Sequence, residues 1–125
     1  MDKLLVVFLG GGIGSVLRFC LSGAVQRAVP GNFPFGTLTV NLAGCFIIGV
    51  LWALSGRVNL PFLASAFLFA GVLGGFTTFS AFGIETIALI HGGAWRPALL
   101  YVALSNALGL SLAALGYYLV TLVRI

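Results

Sequence analysis

The nine residues 74–82 read GGFTTFSAF and stand inside a long apolar run. They bring two glycines, the hydroxyls of Thr77, Thr78 and Ser80, and the rings of Phe76, Phe79 and Phe82 into one short stretch. The edge of a phenyl ring carries partial positive charge. Ring edges, with a few neutral donors such as Asn41 and Ser80, can hold a small dehydrated anion. No full positive charge then traps the ion, so it can leave again. The competing reading of the rings is packing, since residues three apart form one stripe on a helix.

Other residues offer further chemistry, each with a plainer alternative. Asn41, in GTLTVNLAG, either glues helices together by hydrogen bonding or contacts a ligand. Arg18 is costly in lipid, so it is either functional or snorkels toward the interface along its stem. Glu85 either carries a proton or cation, or lines a vestibule or pairs with an arginine from another helix. Tyr101, Ser105 and Asn106 place polar groups at neighbouring helical positions, where they bind or act as helix glue. The carboxylates are Asp2 and Glu85, and the one histidine is His91. That set excludes paired-carboxylate chemistry and a metal-ligand cluster, so the chain is not expected to be an enzyme. Cys20 and Cys45 fall in apolar stretches and read as small core residues, not as a disulfide.

The elements that must carry these residues follow from composition. The chain has 125 residues, 61% hydrophobic and 6% charged, where a soluble domain carries about a quarter charged. The expected solvent is a lipid bilayer, crossed several times. Four apolar stretches are predicted as helices of one all-α domain, over about 4–25, 36–54, 61–90 and 98–123. The first stretch is too long for the apolar part of a signal peptide. Pro30, Gly31 and Pro34 separate the first two stretches, and Pro61 and Pro97 stand where helices begin. Thirty residues of straight helix would measure about 45 Å, against a hydrocarbon core of about 30 Å. The third stretch is therefore expected to break near 74–80. Its glycines weaken the helix there, and its hydroxyls can satisfy freed backbone groups. Broken helices near the midplane often bind ions. Gly10 and Gly14 have the spacing of close helix packing. Trp52, Trp95, Tyr117 and Tyr118 fall near span ends, where interfacial aromatics belong.

With the N-terminus inside, Lys3, Arg57 and Arg124 lie on one side and Arg27 and Arg96 on the other, Arg18 aside. So small a bias predicts insertion in both orientations. The formal charge of +4 reads as loops beside anionic lipid, and no nucleic-acid partner is expected.

These residues resemble the bacterial fluoride channels of the Fluc (CrcB) family. The likeness rests on GGFTTFSAF, on GTLTVNLAG, on the arginine of GSVLRF, on the tyrosine of the last span and on the four-span layout. It covers essentially the whole chain. It implies an antiparallel, dual-topology homodimer that exports fluoride passively through two pores. It also implies a structural sodium ion at the dimer centre, held by the backbone carbonyls of Gly74 and Thr77. Phe79 and Phe82 match the pore phenylalanines, Asn41 the pore asparagine and Tyr101 the fourth-helix tyrosine. Ser80 and Ser105 match hydroxyl positions of a polar track. Arg18 matches the first-helix arginine, and Glu85 an acidic residue beyond the rings. Ala81, Gly83 and Gly109 stand where relatives often have hydroxyl residues, so the track is thinner here. Phe76 is outside the family's phenylalanine pair.

Two other classes fit four small spans. A small multidrug-type, proton-coupled cation carrier needs a carboxylate in its first helix, where this chain has Arg18. A non-transporting assembly protein would explain the small residues but not the hydroxyl-rich break.

Overall fold

The computed structural model describes residues 2–123. Arg124, counted above with the charges of one side, lies outside the described residues. The described residues are helical almost throughout. Helix α1 covers Asp2–Ala28, α2 covers Phe35–Ser55, α3 covers 62–76, α4 covers Phe79–His91 and α5 covers Trp95–Leu122. Four stretches are long and apolar enough to cross a membrane, the third being Phe62–His91 with α3 and α4 as its halves. Each differs from the predicted span by a few residues at its ends. Pro61 caps α3, and Pro97 lies in the first turn of α5, where a missing N–H costs nothing. The end of α4 is sealed by a Schellman motif. Gly93, at φ 76°, donates to Ile90 O at 3.0 Å, and Ala94 donates to Leu89 O at 2.8 Å.

The short connections make successive spans antiparallel. Arg57, in the α2–α3 loop, donates to the Val123 carbonyl at 2.8 Å and to that of Val120. Lys3 lies over the Phe62 ring at 4.8 Å. Both contacts put Lys3, Arg57 and the end of α5 on one side, as four antiparallel spans require. Trp52, Trp95 and Tyr118 are exposed close to helix ends. Cys20 departs from expectation: it faces outward from α1, while Cys45 is half-buried with its Sγ beside Gly109.

Packing runs in two pairs, α1 against α3 and α2 against α5, with α4 laid on α5. Glycines set both contacts. A Cβ on Gly14 would run into the Val72 carbonyl and come within 2.8 Å of Phe76 N, and one on Gly10 would stand 2.7 Å from Phe67 O. Gly49 and Gly116 meet the carbonyls of Ala113 and Phe46 in the same way. Such close approach supplies van der Waals contact where lipid offers no hydrophobic drive. Gly14→Ala is therefore expected to destabilise the protein by about 1–3 kcal/mol through overpacking. Gly12→Ala meets nothing within 4 Å and should not destabilise, since alanine is the better helix former. Thermal unfolding of the two purified variants checks this, and equal midpoints would contradict it.

The break is narrower than predicted. Thr77 (φ −84°, ψ 158°) and Thr78 (φ −151°, ψ 117°) are extended, and helix resumes at Phe79. Gly74 and Gly75 are helical. Gly75 serves close approach instead, since a Cβ there would run into Gly11 O. Before the break, Ala66–Leu73 forms a π-helix, which the uniformly apolar sequence does not signal. Within it Gly71 presses on α1, and an added Cβ would lie 3.0 Å from Gly10 Cα.

Candidate functional site

Ending α3 at Phe76 leaves backbone groups without helical partners, and neighbouring side chains take several of them. Thr77 N–H closes α3 by donating to Leu73 O at 3.0 Å, and its hydroxyl donates to the same carbonyl at 3.0 Å. Thr78 begins α4 as its N-cap: its hydroxyl accepts from Ala81 N–H at 3.2 Å. Its hydroxyl also lies 3.3 Å from Ser80 Oγ.

Asn41 fixes the break from α2. Its Nδ2 donates to Thr78 O at 2.9 Å, and its Oδ1 accepts from Thr78 N–H at 2.8 Å. One amide thus satisfies both backbone groups of one extended residue. The second Nδ2 hydrogen remains for another acceptor. Beside it, Gly44 leaves room for the Thr77 methyl group, which an added Cβ would strike. From α1, Arg18 Nη1 donates to Thr77 O at 3.2 Å.

Two clefts open on either side of this node. The first, of about 380 Å³, is lined in part by Asn41, Thr78, Phe79, Phe82, Ser105 and Asn106. The Phe79 and Phe82 ring centroids are 5.3 Å apart, and Phe79 is 81% exposed. Ser105 Oγ is the one buried side-chain polar atom, among the described residues, that has no hydrogen-bond partner. A buried hydroxyl without a partner carries a desolvation cost that a bound ion or water would relieve. The cleft therefore brings together two aromatic rings, a side-chain amide and, at its wall, a buried hydroxyl without a partner. It is equipped to accept a small anion.

The second cleft, of about 740 Å³, holds Ser15, Arg18, Ser22, Thr37, Ser80 and Glu85. Thr78 lines both clefts. Glu85 is held by hydroxyls, not by the arginine that was one of its possible partners. Its two oxygens accept from the Thr37 hydroxyl at 2.7 Å and from the Tyr101 hydroxyl at 2.7 Å. Tyr101 is 0% exposed, and its ring meets Phe82 edge-on at 5.1 Å and Phe33 at 5.5 Å. It therefore packs behind Phe82, facing neither cleft within one chain.

Of the predicted residues, Asn41, Phe79, Phe82 and Ser105 come together in the first cleft. Ser80, Arg18 and Glu85 share the second. Gly74 and Thr77 border the first through the end of α3 and the start of the break. Thr37 was missed. It lies four residues before Asn41, one turn away on the same face of α2, and that spacing could have flagged it. Gln26 was missed too. It holds the α1–α2 loop by donating to Gly31 O and Phe33 O and accepting from Gly36 N–H, a role without a sequence signal.

Comparison with known proteins adds a second line of observation. Residues 5–117 match the family model described as CrcB-like protein, Camphor Resistance (CrcB). A protein of Thermus thermophilus named fluoride-specific ion channel FluC is 50% identical over 119 residues, covering 95% of each chain. The protein of that name from Parabacteroides distasonis is 45% identical over 119 residues, covering 95% of this chain and 93% of the relative. The one from Methylobacillus flagellatus is 45% identical over 123 residues, covering 96% and 95%.

Proposed function

The chain belongs to the CrcB-like family, and on that premise we propose that it is a fluoride-specific ion channel of the inner (plasma) membrane. The observation that carries the reading is the first cleft, which Asn41, Phe79, Phe82 and Ser105 line together, with the unpartnered Ser105 Oγ buried at its wall. A fluoride ion entering it sheds water and takes up the spare Nδ2 hydrogen of Asn41, the Ser105 hydroxyl and the ring edges. These are neutral dipoles. They hold the ion weakly enough for it to move on, which conduction requires.

In this reading the channel is a homodimer with two pores, its chains antiparallel. Support comes from the break. Thr77 and Thr78 lie halfway along the 30-residue third span, and Gly74, Phe79 and Ser80 beside them are exposed in the single chain. Irregular backbone and hydroxyls at such depth are tolerated against protein or a watery cavity, not against lipid. A second copy supplies that cover, and the near-balanced charges of the loops allow the opposite insertion it needs.

A sodium ion between the two breaks is part of the same proposal. The carbonyls of Gly74 and Thr77 suit it. The helical donor for Gly74 O would be Thr78 N–H, which Asn41 takes instead, so a hard neutral oxygen is left free. Thr77 O keeps one lone pair beyond its bond from Arg18. When bound, sodium would supply a fixed positive charge that ties the two breaks together.

Reconstituted into liposomes loaded with fluoride, the protein is expected to release it rapidly, as read by a fluoride electrode. Release should be indifferent to a pH gradient. A proton-coupled carrier would need that gradient and an assembly protein would give no release, so either result would overturn the proposal.

A further inference from the structure

Resting on the proposed sodium site, we infer that Arg18 is a resident cation at the break and limits how tightly sodium is held there. The Thr77 carbonyl is one of the two oxygens assigned to the ion, and in the single chain it already accepts from Arg18 Nη1 at 3.2 Å. The guanidinium is not drawn off by the nearby carboxylate. Glu85 lines the same cleft as Arg18, yet its oxygens accept from the hydroxyls of Thr37 and Tyr101 and not from the guanidinium. Ser15, Ser22, Thr78 and Ser80, the other polar residues of that cleft, are neutral. The charge of Arg18 is thus directed at the backbone of the break.

A carbonyl oxygen has two lone pairs, so it can serve a guanidinium and a sodium ion at once, but not without penalty. Two positive charges on one oxygen repel each other in a region where water screens weakly. A carbonyl polarised by a charged donor also has less electron density to offer a second cation. In an unpaired chain, Arg18 satisfies Thr77 O while no second break is present. Once two chains meet, sodium competes with it. Arg18 then acts as a positioning residue for the dimer centre. It keeps the break formed before assembly and prevents the ion from binding too strongly to respond to its concentration.

The test uses purified wild-type protein in detergent, in N-methylglucamine chloride. Sodium chloride is titrated against an equal concentration of N-methylglucamine while the thermal midpoint of the dimer is read. Ligand linkage converts that stabilisation into an apparent sodium affinity. Arg18→Gln removes the charge but keeps a polar donor. It should lower the sodium concentration needed for half-maximal stabilisation by about tenfold or more. An unchanged or raised requirement in that variant, with a normal sodium response in wild type, would overturn the inference and leave the sodium site standing. No sodium response in wild type would overturn the site and the inference together. Should Arg18→Gln not assemble, the wild type still decides. The guanidinium ¹⁵N resonance of Arg18, assigned by its loss in Arg18→Lys, should shift on sodium titration and not on N-methylglucamine titration. A resonance indifferent to sodium would overturn the competition.

Discussion

Asn41→Asp is expected to abolish fluoride efflux, by roughly a hundredfold or more. Two effects add. The variant replaces the spare donor with an acceptor, and an ionised carboxylate repels the anion. Two unit charges 4 Å apart interact by about 4 kcal/mol at the effective dielectric of a protein surface, and each 1.4 kcal/mol is tenfold. The clamp also suffers, because the oxygen replacing Nδ2 would face the Thr78 carbonyl it now bonds at 2.9 Å. That mismatch costs about 1–3 kcal/mol of stability, a loss that should lower the thermal midpoint without preventing assembly. Efflux must therefore be normalised to reconstituted dimer. Near-normal flux per dimer would return Asn41 to a purely structural clamp on the break.

Phe82→Ile and Phe79→Ile should each lower fluoride flux strongly, while Phe76→Leu should leave flux per dimer unchanged. Isoleucine fills comparable apolar space but has no positive ring edge. The three rings differ in burial, which separates chemistry from packing. Phe79 is exposed in the single chain, so its loss costs little there. Phe82 packs against the Phe79 and Tyr101 rings at 5.3 and 5.1 Å. Its replacement should cost some stability as well as flux. Phe76 is buried, with its ring beside Gly44 of α2, and its change to leucine should appear mainly as a lowered thermal midpoint. If flux per dimer is equal across all three variants, the rings are core filler and the anion-binding role assigned to them falls.

Much of the site was legible because lipid restricts what a polar residue can do. A hydroxyl-rich, glycine-containing stretch in a 30-residue apolar run has few explanations, and the break does fall inside it. Its location at Thr77 and Thr78, past the glycines, was not legible. Glycine serves both weak helices and close contacts, and here Gly75 faces Gly11 across the α1–α3 contact. The π-helical turn was hidden for a related reason: Ala66–Leu73 is apolar throughout, and periodicity cannot distinguish helical pitches when every position is greasy. Glu85 shows the limit of pairing residues by charge alone. An arginine was one partner that charge suggested, yet two hydroxyls, of Thr37 and Tyr101, hold the carboxylate. A hydroxyl is a sufficient donor to a carboxylate, and its identity depends on which helices meet. The amide of Asn41 was read as glue or ligand. In the structure it binds the break through one donor and one acceptor and retains one further hydrogen, so the two roles do not exclude each other.

The fluoride-selective pore is tested most directly by its reversal potential. Purified protein is fused into a planar bilayer with fluoride on one side replaced in part by chloride, and sodium equal on both. Current should reverse at the fluoride equilibrium potential and shift with each change of the fluoride ratio. Reversal at the chloride or sodium potential, or no current from protein shown to be folded and inserted, would contradict a fluoride channel.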